Sequence, residues 1–65
     1  MTIDHLLQRL SKPAQRALQN EGIITLEQLS GYSENEIMAL HGIGKNAIAA
    51  IRIFLNENGM TFTEK

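Results

Sequence analysis

The stretch Leu40-His41-Gly42-Ile43-Gly44-Lys45-Asn46-Ala47-Ile48 sets a Gly-apolar-Gly hairpin between two amphipathic segments, and its reading decides the fold. Glycine at 42 and 44 lets the backbone take positive φ and lets another chain approach closely, while Ile43 is placed to plug inward and fix the turn. Gly44 stands where the next helix begins. The first N–H groups of that helix, on Lys45, Asn46 and Ala47, have no acceptor within it and sit at the positive end of its dipole, a ready site for a phosphate.

Downstream, Ala47, Ile48, Ile51, Phe54 and Leu55 share one helical face and define the longest helix, with Gly59 placed as its C-terminal cap and Met60 beyond. Upstream, Thr25 to Gln28 and Ser33 to Glu36 both carry the capping-box pattern. They start two short helices bearing Leu26 and Leu29, then Ile37 and Leu40, with Gly31 between them. Ser11 is placed to cap an earlier helix that has Pro13 in its first turn, Ala14, Ala17 and Leu18 as its inward stripe and Gly22 at its end. A first helix within residues 1–10 has Thr2 as N-cap, Asp4 in its first turn, and Ile3, Leu6, Leu7 and Leu10 on its apolar face. Ile23-Ile24-Thr25 is the only β-branched cluster and is too short for a strand. The expected fold class is all-α, one domain over residues 1–65. Its five or so short helices pack as a compact orthogonal bundle, because none is long enough for a parallel one.

The chain has 65 residues and no cysteine, so it must fold on apolar packing without disulfide or thiolate-metal staples. So thin a core leaves no room for a buried small-molecule pocket, which argues against an enzyme, a cofactor or a small-molecule substrate. No apolar run reaches the length of a membrane span and no signal-like segment opens the sequence, so a soluble cytoplasmic protein is expected. His5 and His41 are far apart and lack a helical partner of the metal-binding type, which leaves no metal site and no catalytic set to argue. His41 is either a phosphate donor beside Gly42 or an ordinary turn residue.

The net charge is −1, low for a nucleic-acid binder, but the charges are segregated. Arg9, Lys12 and Arg16 cluster, Lys45 and Arg52 come much later, and the gap between them holds Glu21, Glu27, Glu34 and Glu36. Asp4, Glu27, Glu34 and Glu36 put negative charge at helix starts, where the dipole favours it. The second and last helices instead begin with Lys12 and Lys45, each forgoing about 0.3–1 kcal/mol relative to an anion there. An incoming anion would reverse that sign; the plainer reading is that exposed lysines tolerate a poor position.

From Leu10-Ser11-Lys12-Pro13-Ala14-Gln15-Arg16-Ala17-Leu18 to Ile23, through Thr25-Leu26-Glu27-Gln28-Leu29, Ser33 to Ile37 and the hairpin, to Asn58-Gly59-Met60-Thr61-Phe62, the chain resembles the C-terminal domain of the bacterial RNA polymerase alpha subunit. It also resembles the small stand-alone bacterial proteins built on that domain. The resemblance runs without gaps to about residue 62. It implies a SAM-domain-like bundle with a helix-hairpin-helix motif that binds the DNA minor groove and backbone. The implied contacts lie at the helix start from Lys12 to Arg16 and at Gly42, Ile43, Gly44, Lys45, Asn46 and Ala47. Four positions depart from the family pattern. Pro13 stands where the family has an arginine that enters the minor groove, Arg16 where it has an asparagine, Asn46 where it has a second basic residue and Ala47 where it has a serine.

Two functions of different classes follow. One is a weak, largely sequence-independent DNA-binding accessory linked to transcription, with Lys12, Arg16, Lys45 and also Arg52 on phosphates and a salt slope of about −3 to −4. The other is a protein-interaction module, paired with RNA polymerase, another protein or a second copy head to tail, with Ile24, Tyr32, Met38 and Ile53 as apolar anchors.

Overall fold

Capping boxes start two of the helices of this chain, and glycine closures end two others. The computed structural model describes residues 2–63, which form α1 (Asp4–Leu7), α2 (Lys12–Asn20), α3 (Leu26–Ser30), α4 (Glu34–Met38) and α5 (Lys45–Glu57), with no strand among them. Both expected capping boxes are made. Thr25 Oγ1 accepts from the Gln28 N–H at 3.1 Å while Gln28 Oε1 accepts from the Thr25 N–H at 3.0 Å. Ser33 and Glu36 reciprocate in the same way at 3.2 and 2.8 Å. In the first turn of α3, a backbone hydrogen bond holds the Glu27 carboxyl below its ordinary range.

The two longest helices end alike. At α2 the Ile23 N–H reaches back to Leu18 O (3.0 Å) and the Gly22 N–H to Gln19 O (3.0 Å); at α5 the Met60 N–H bonds Leu55 O (2.8 Å) and the Gly59 N–H bonds Asn56 O (3.1 Å). Each is a Schellman closure, and it requires the left-handed backbone that Gly22 and Gly59 adopt at φ 77° and 72°.

Side chains from all five helices meet in one core. Leu6, Leu18, Leu26, Leu29, Ile37, Ile51 and Leu55 are fully buried, joined by Ile3, Ala14, Ile23, Ile48 and Phe54. The segment after α5 belongs to the same body: the Thr63 N–H bonds Tyr32 O at 3.0 Å, Thr63 Oγ1 donates to Ser30 O at 2.6 Å, and Met60 and Phe62 pack against the core. The dimensions, 26 × 25 × 20 Å, are nearly equal in every direction.

Local details depart from the sequence expectation. Helix α1 is a single turn capped at Ile3, not Thr2, because the Ile3 N–H pairs with Ile24 O (3.3 Å) in an isolated antiparallel bridge between Thr2 and Thr25. Leu10 lies beyond α1 and Leu40 beyond α4, yet both still pack inward. Ser11 occupies the N-cap of α2 but its hydroxyl makes no capping bond. Tyr32 is half-buried against the core, whereas Ile24, Met38 and Ile53 are exposed. Among the described residues no helix is long and apolar enough to cross a membrane.

Candidate nucleic-acid interface

The hairpin is anchored from below. Ile43 is buried and its N–H bonds Leu40 O at 3.2 Å, so this residue holds the turn in place and offers neither its side chain nor its N–H to a ligand. The two glycines beside it have separate tasks. Gly42 has φ 98°, the left-handed region, and a β-carbon added there would stand 2.6 Å from Pro13 O and 3.1 Å from Pro13 C. Gly44 corrects the sequence reading: its φ is −118°, ordinary extended backbone, and a β-carbon there meets nothing within 4 Å. Gly42 therefore serves close packing inside the molecule, and Gly44 keeps the approach to α5 open from outside.

The contact between Gly42 and Pro13 draws the starts of α2 and α5 to one groove of about 430 Å³. Leu10, Ser11 and Pro13 form one side of it, and Gly42, Gly44, Lys45, Asn46 and Ala47 form the other. In α5 the first helical hydrogen bond runs from the Ile48 N–H to Gly44 O (3.0 Å), which leaves the Lys45, Asn46 and Ala47 N–H groups ahead of it. In α2 it runs from the Gln15 N–H to Ser11 O (2.9 Å), with the Lys12 and Ala14 N–H groups ahead and Pro13 lacking one.

Electrostatics set these two helix starts apart from the others. Helices α3 and α4 have side-chain caps and acidic first turns, and α1 has Asp4; α2 and α5 have neither a side-chain capping bond nor an acidic residue in the first turn. Lys12 and Lys45 instead occupy the first helical positions, and Arg16 stands one turn further along α2; all three are exposed. Among the described residues the side-chain ion pairs are Arg9–Glu57 and Arg52–Glu34, and neither involves these three cations.

The expected site residues are thus partly assembled. Gly42, Gly44, Lys45, Asn46 and Ala47 line the groove, with the Ala47 side chain turned into the core. Lys12 and Arg16 flank it from α2 without lining it, and Ile43 lies beneath. Arg52, counted with the phosphate-binding set from sequence, is paired with Glu34 across α4 and α5, away from the groove. Arg9 and Ser11 line the groove although only neighbouring residues were expected there; the signal was Arg9's place in the basic cluster with Lys12 and Arg16.

A larger depression of about 650 Å³ lies between the start of α4, α5 and the segment Thr61 to Thr63. Its one cation, Arg52, is neutralised by Glu34, so it lacks the unpaired positive charge of the smaller groove. Groups of three or more histidine, cysteine, aspartate or glutamate residues able to hold a metal are absent among the described residues. The chain matches no protein-family model, no characterised protein sequence and no solved structure.

Proposed function

We propose that this domain is a weak, largely sequence-independent binder of duplex DNA. The observation that carries the reading is the convergence of two helix N-termini without side-chain caps on one groove, flanked by three cations that no carboxylate among the described residues neutralises. Phosphate oxygens supply what those termini lack: acceptors for the leading N–H groups and negative charge at the positive end of each dipole. Lys12, Arg16 and Lys45 contact the backbone as charges, which positions a duplex without reading its bases. With Pro13 where the resembled family has its minor-groove arginine, this chain lacks that route to base recognition.

Three phosphate contacts correspond to a salt slope of about −3, shallower than a count including Arg52. A single small module of this kind gains useful affinity by tethering or self-association. The resemblance to the polymerase alpha domain gives the reading a transcription-linked setting, with RNA polymerase as a candidate partner.

Fluorescence anisotropy of a labelled duplex across a salt series tests this reading. The expected outcome is weak binding, a slope of about −3 or somewhat steeper, and similar affinity for A·T-rich and mixed sequences. The exposed Ile24 and Ile53 favour the alternative, a protein-interaction module. Absence of duplex binding even at low salt selects that alternative.

A further inference from the structure

Building on the duplex-binding reading, we propose that Arg9 is a fourth phosphate-contacting residue of this groove, and that Glu57 holds it away from the ligand in the free protein. Arg9 lines the groove alongside Leu10 and Pro13. Its guanidinium, however, is drawn along α5: it lies over the Phe54 ring, 5.8 Å from the centroid, and Nη1 donates to Glu57 Oε1 at 3.1 Å. The backbone positions of Phe54 and Glu57 lie seven and ten residues beyond Ala47, a helix rise of about 10 and 15 Å along α5. Arg9 thus belongs to the groove lining while its guanidinium is engaged by Glu57 and Phe54 of α5.

The contact with Glu57 is of a kind that yields to competition. Both partners are about half exposed, 49% for Arg9 and 52% for Glu57, and exposed pairs of this geometry hold weakly and loosen with salt. The contact with the ring of Phe54, itself buried in the core, adds a modest cation–π attraction. A phosphate at the groove offers two anionic oxygens to the planar guanidinium, a bidentate geometry that arginine matches better than lysine. The root of the side chain does not have to move, because Arg9 stands just past Gln8, the C-cap of α1, and its N–H is tied to Leu6 O at 2.9 Å. Rotation about the side-chain bonds is the whole motion.

Arg9 thereby supplies a groove cation from the connection between α1 and α2, where Pro13 in α2 supplies none. Among the described residues, free protein presents three cations without an ion-pair partner around the groove, and bound protein presents four. Glu57 sets the difference, because it competes with the phosphate for the same guanidinium.

A double-mutant cycle in duplex affinity tests the proposal. Wild-type protein, Arg9→Gln, Glu57→Gln and the double variant are titrated against the same labelled duplex by anisotropy over a salt series, with thermal unfolding as the check on folding. Glu57→Gln is expected to tighten binding about two- to fivefold at low salt, as release of an exposed ion pair allows. Arg9→Gln is expected to weaken binding and to reduce the magnitude of the salt slope by about 0.9, the signature of one lost phosphate contact. In the Arg9→Gln background, Glu57→Gln is expected to change nothing further. Equal tightening by Glu57→Gln in both backgrounds would show simple relief of charge repulsion and overturn the proposal. So would an unchanged affinity and slope in Arg9→Gln. Wild-type protein that does not bind duplex at all overturns the underlying reading itself, a result distinct from both.

Discussion

Gly42 packs against Pro13 so closely that a single added methyl group would stand 2.6 Å from the Pro13 carbonyl oxygen. This contact ties the hairpin to the first turn of α2, and the groove between the starts of α2 and α5 depends on it.

Gly42→Ala is expected to lower stability by about 1–3 kcal/mol, because it forces both a left-handed backbone on an L-residue and a steric conflict with main-chain atoms that cannot rotate away. In a domain of this size each kcal/mol shifts the melting temperature by about 4–8 °C, well within reach of circular dichroism. A variant melting with the wild type would show that the hairpin is not held against α2.

Gly44→Thr should behave in the opposite way. Its backbone is extended and its surroundings are open, and threonine ranks with glycine as an N-cap, so stability is expected to stay within about 0.5 kcal/mol of wild type. The new hydroxyl takes one of the leading N–H groups of α5 and the new methyl group fills the approach. DNA affinity is expected to fall about tenfold or more, the equivalent of one lost charge-assisted hydrogen bond. Affinity equal to wild type in an anisotropy titration would remove the start of α5 from the binding surface.

Arg16→Glu reverses an exposed charge that has no ion-pair partner among the described residues. Weaker duplex binding with a salt slope smaller in magnitude by about 0.9, and an unchanged melting curve, is the expected pair of results. Loss of folding would instead assign Arg16 a structural role.

The capping boxes provide the matched control. Thr25→Ala and Ser33→Ala each remove a reciprocal cap and are expected to cost about 0.5–2 kcal/mol in thermal unfolding. Neither residue lines the groove, so the DNA affinity of the folded fraction is expected to be unchanged.

What could be read from the sequence divides along the range of the interactions. The capping boxes at Thr25 and Ser33 and the glycine closures at Gly22 and Gly59 involve residues within five positions of one another, so their chemistry is written locally. The inward plug of Ile43 follows from the same local logic. Periodicity also placed the α5 stripe from Ala47 to Leu55, which the core buries. Other features depend on partners distant in sequence. Ile3 gives its N–H to Ile24 and so displaces the cap of α1 from Thr2, Arg52 finds Glu34, and Arg9 finds Glu57 across 48 positions. The assignment of Gly44 to positive φ failed for a related reason. The left-handed turn is needed only at Gly42, where Pro13 crowds the backbone, and Pro13 is remote in sequence.

The binding surface itself is tested most directly by an amide NMR titration of isotope-labelled protein with a short A·T-rich duplex at low and moderate salt. Shifts concentrated at Lys12, Ala14 and Arg16 and at Gly44 to Ala47, fading as salt rises, are the predicted result. Shifts confined to other surfaces, or none at millimolar duplex, would contradict phosphate binding at the groove and direct attention to a protein partner.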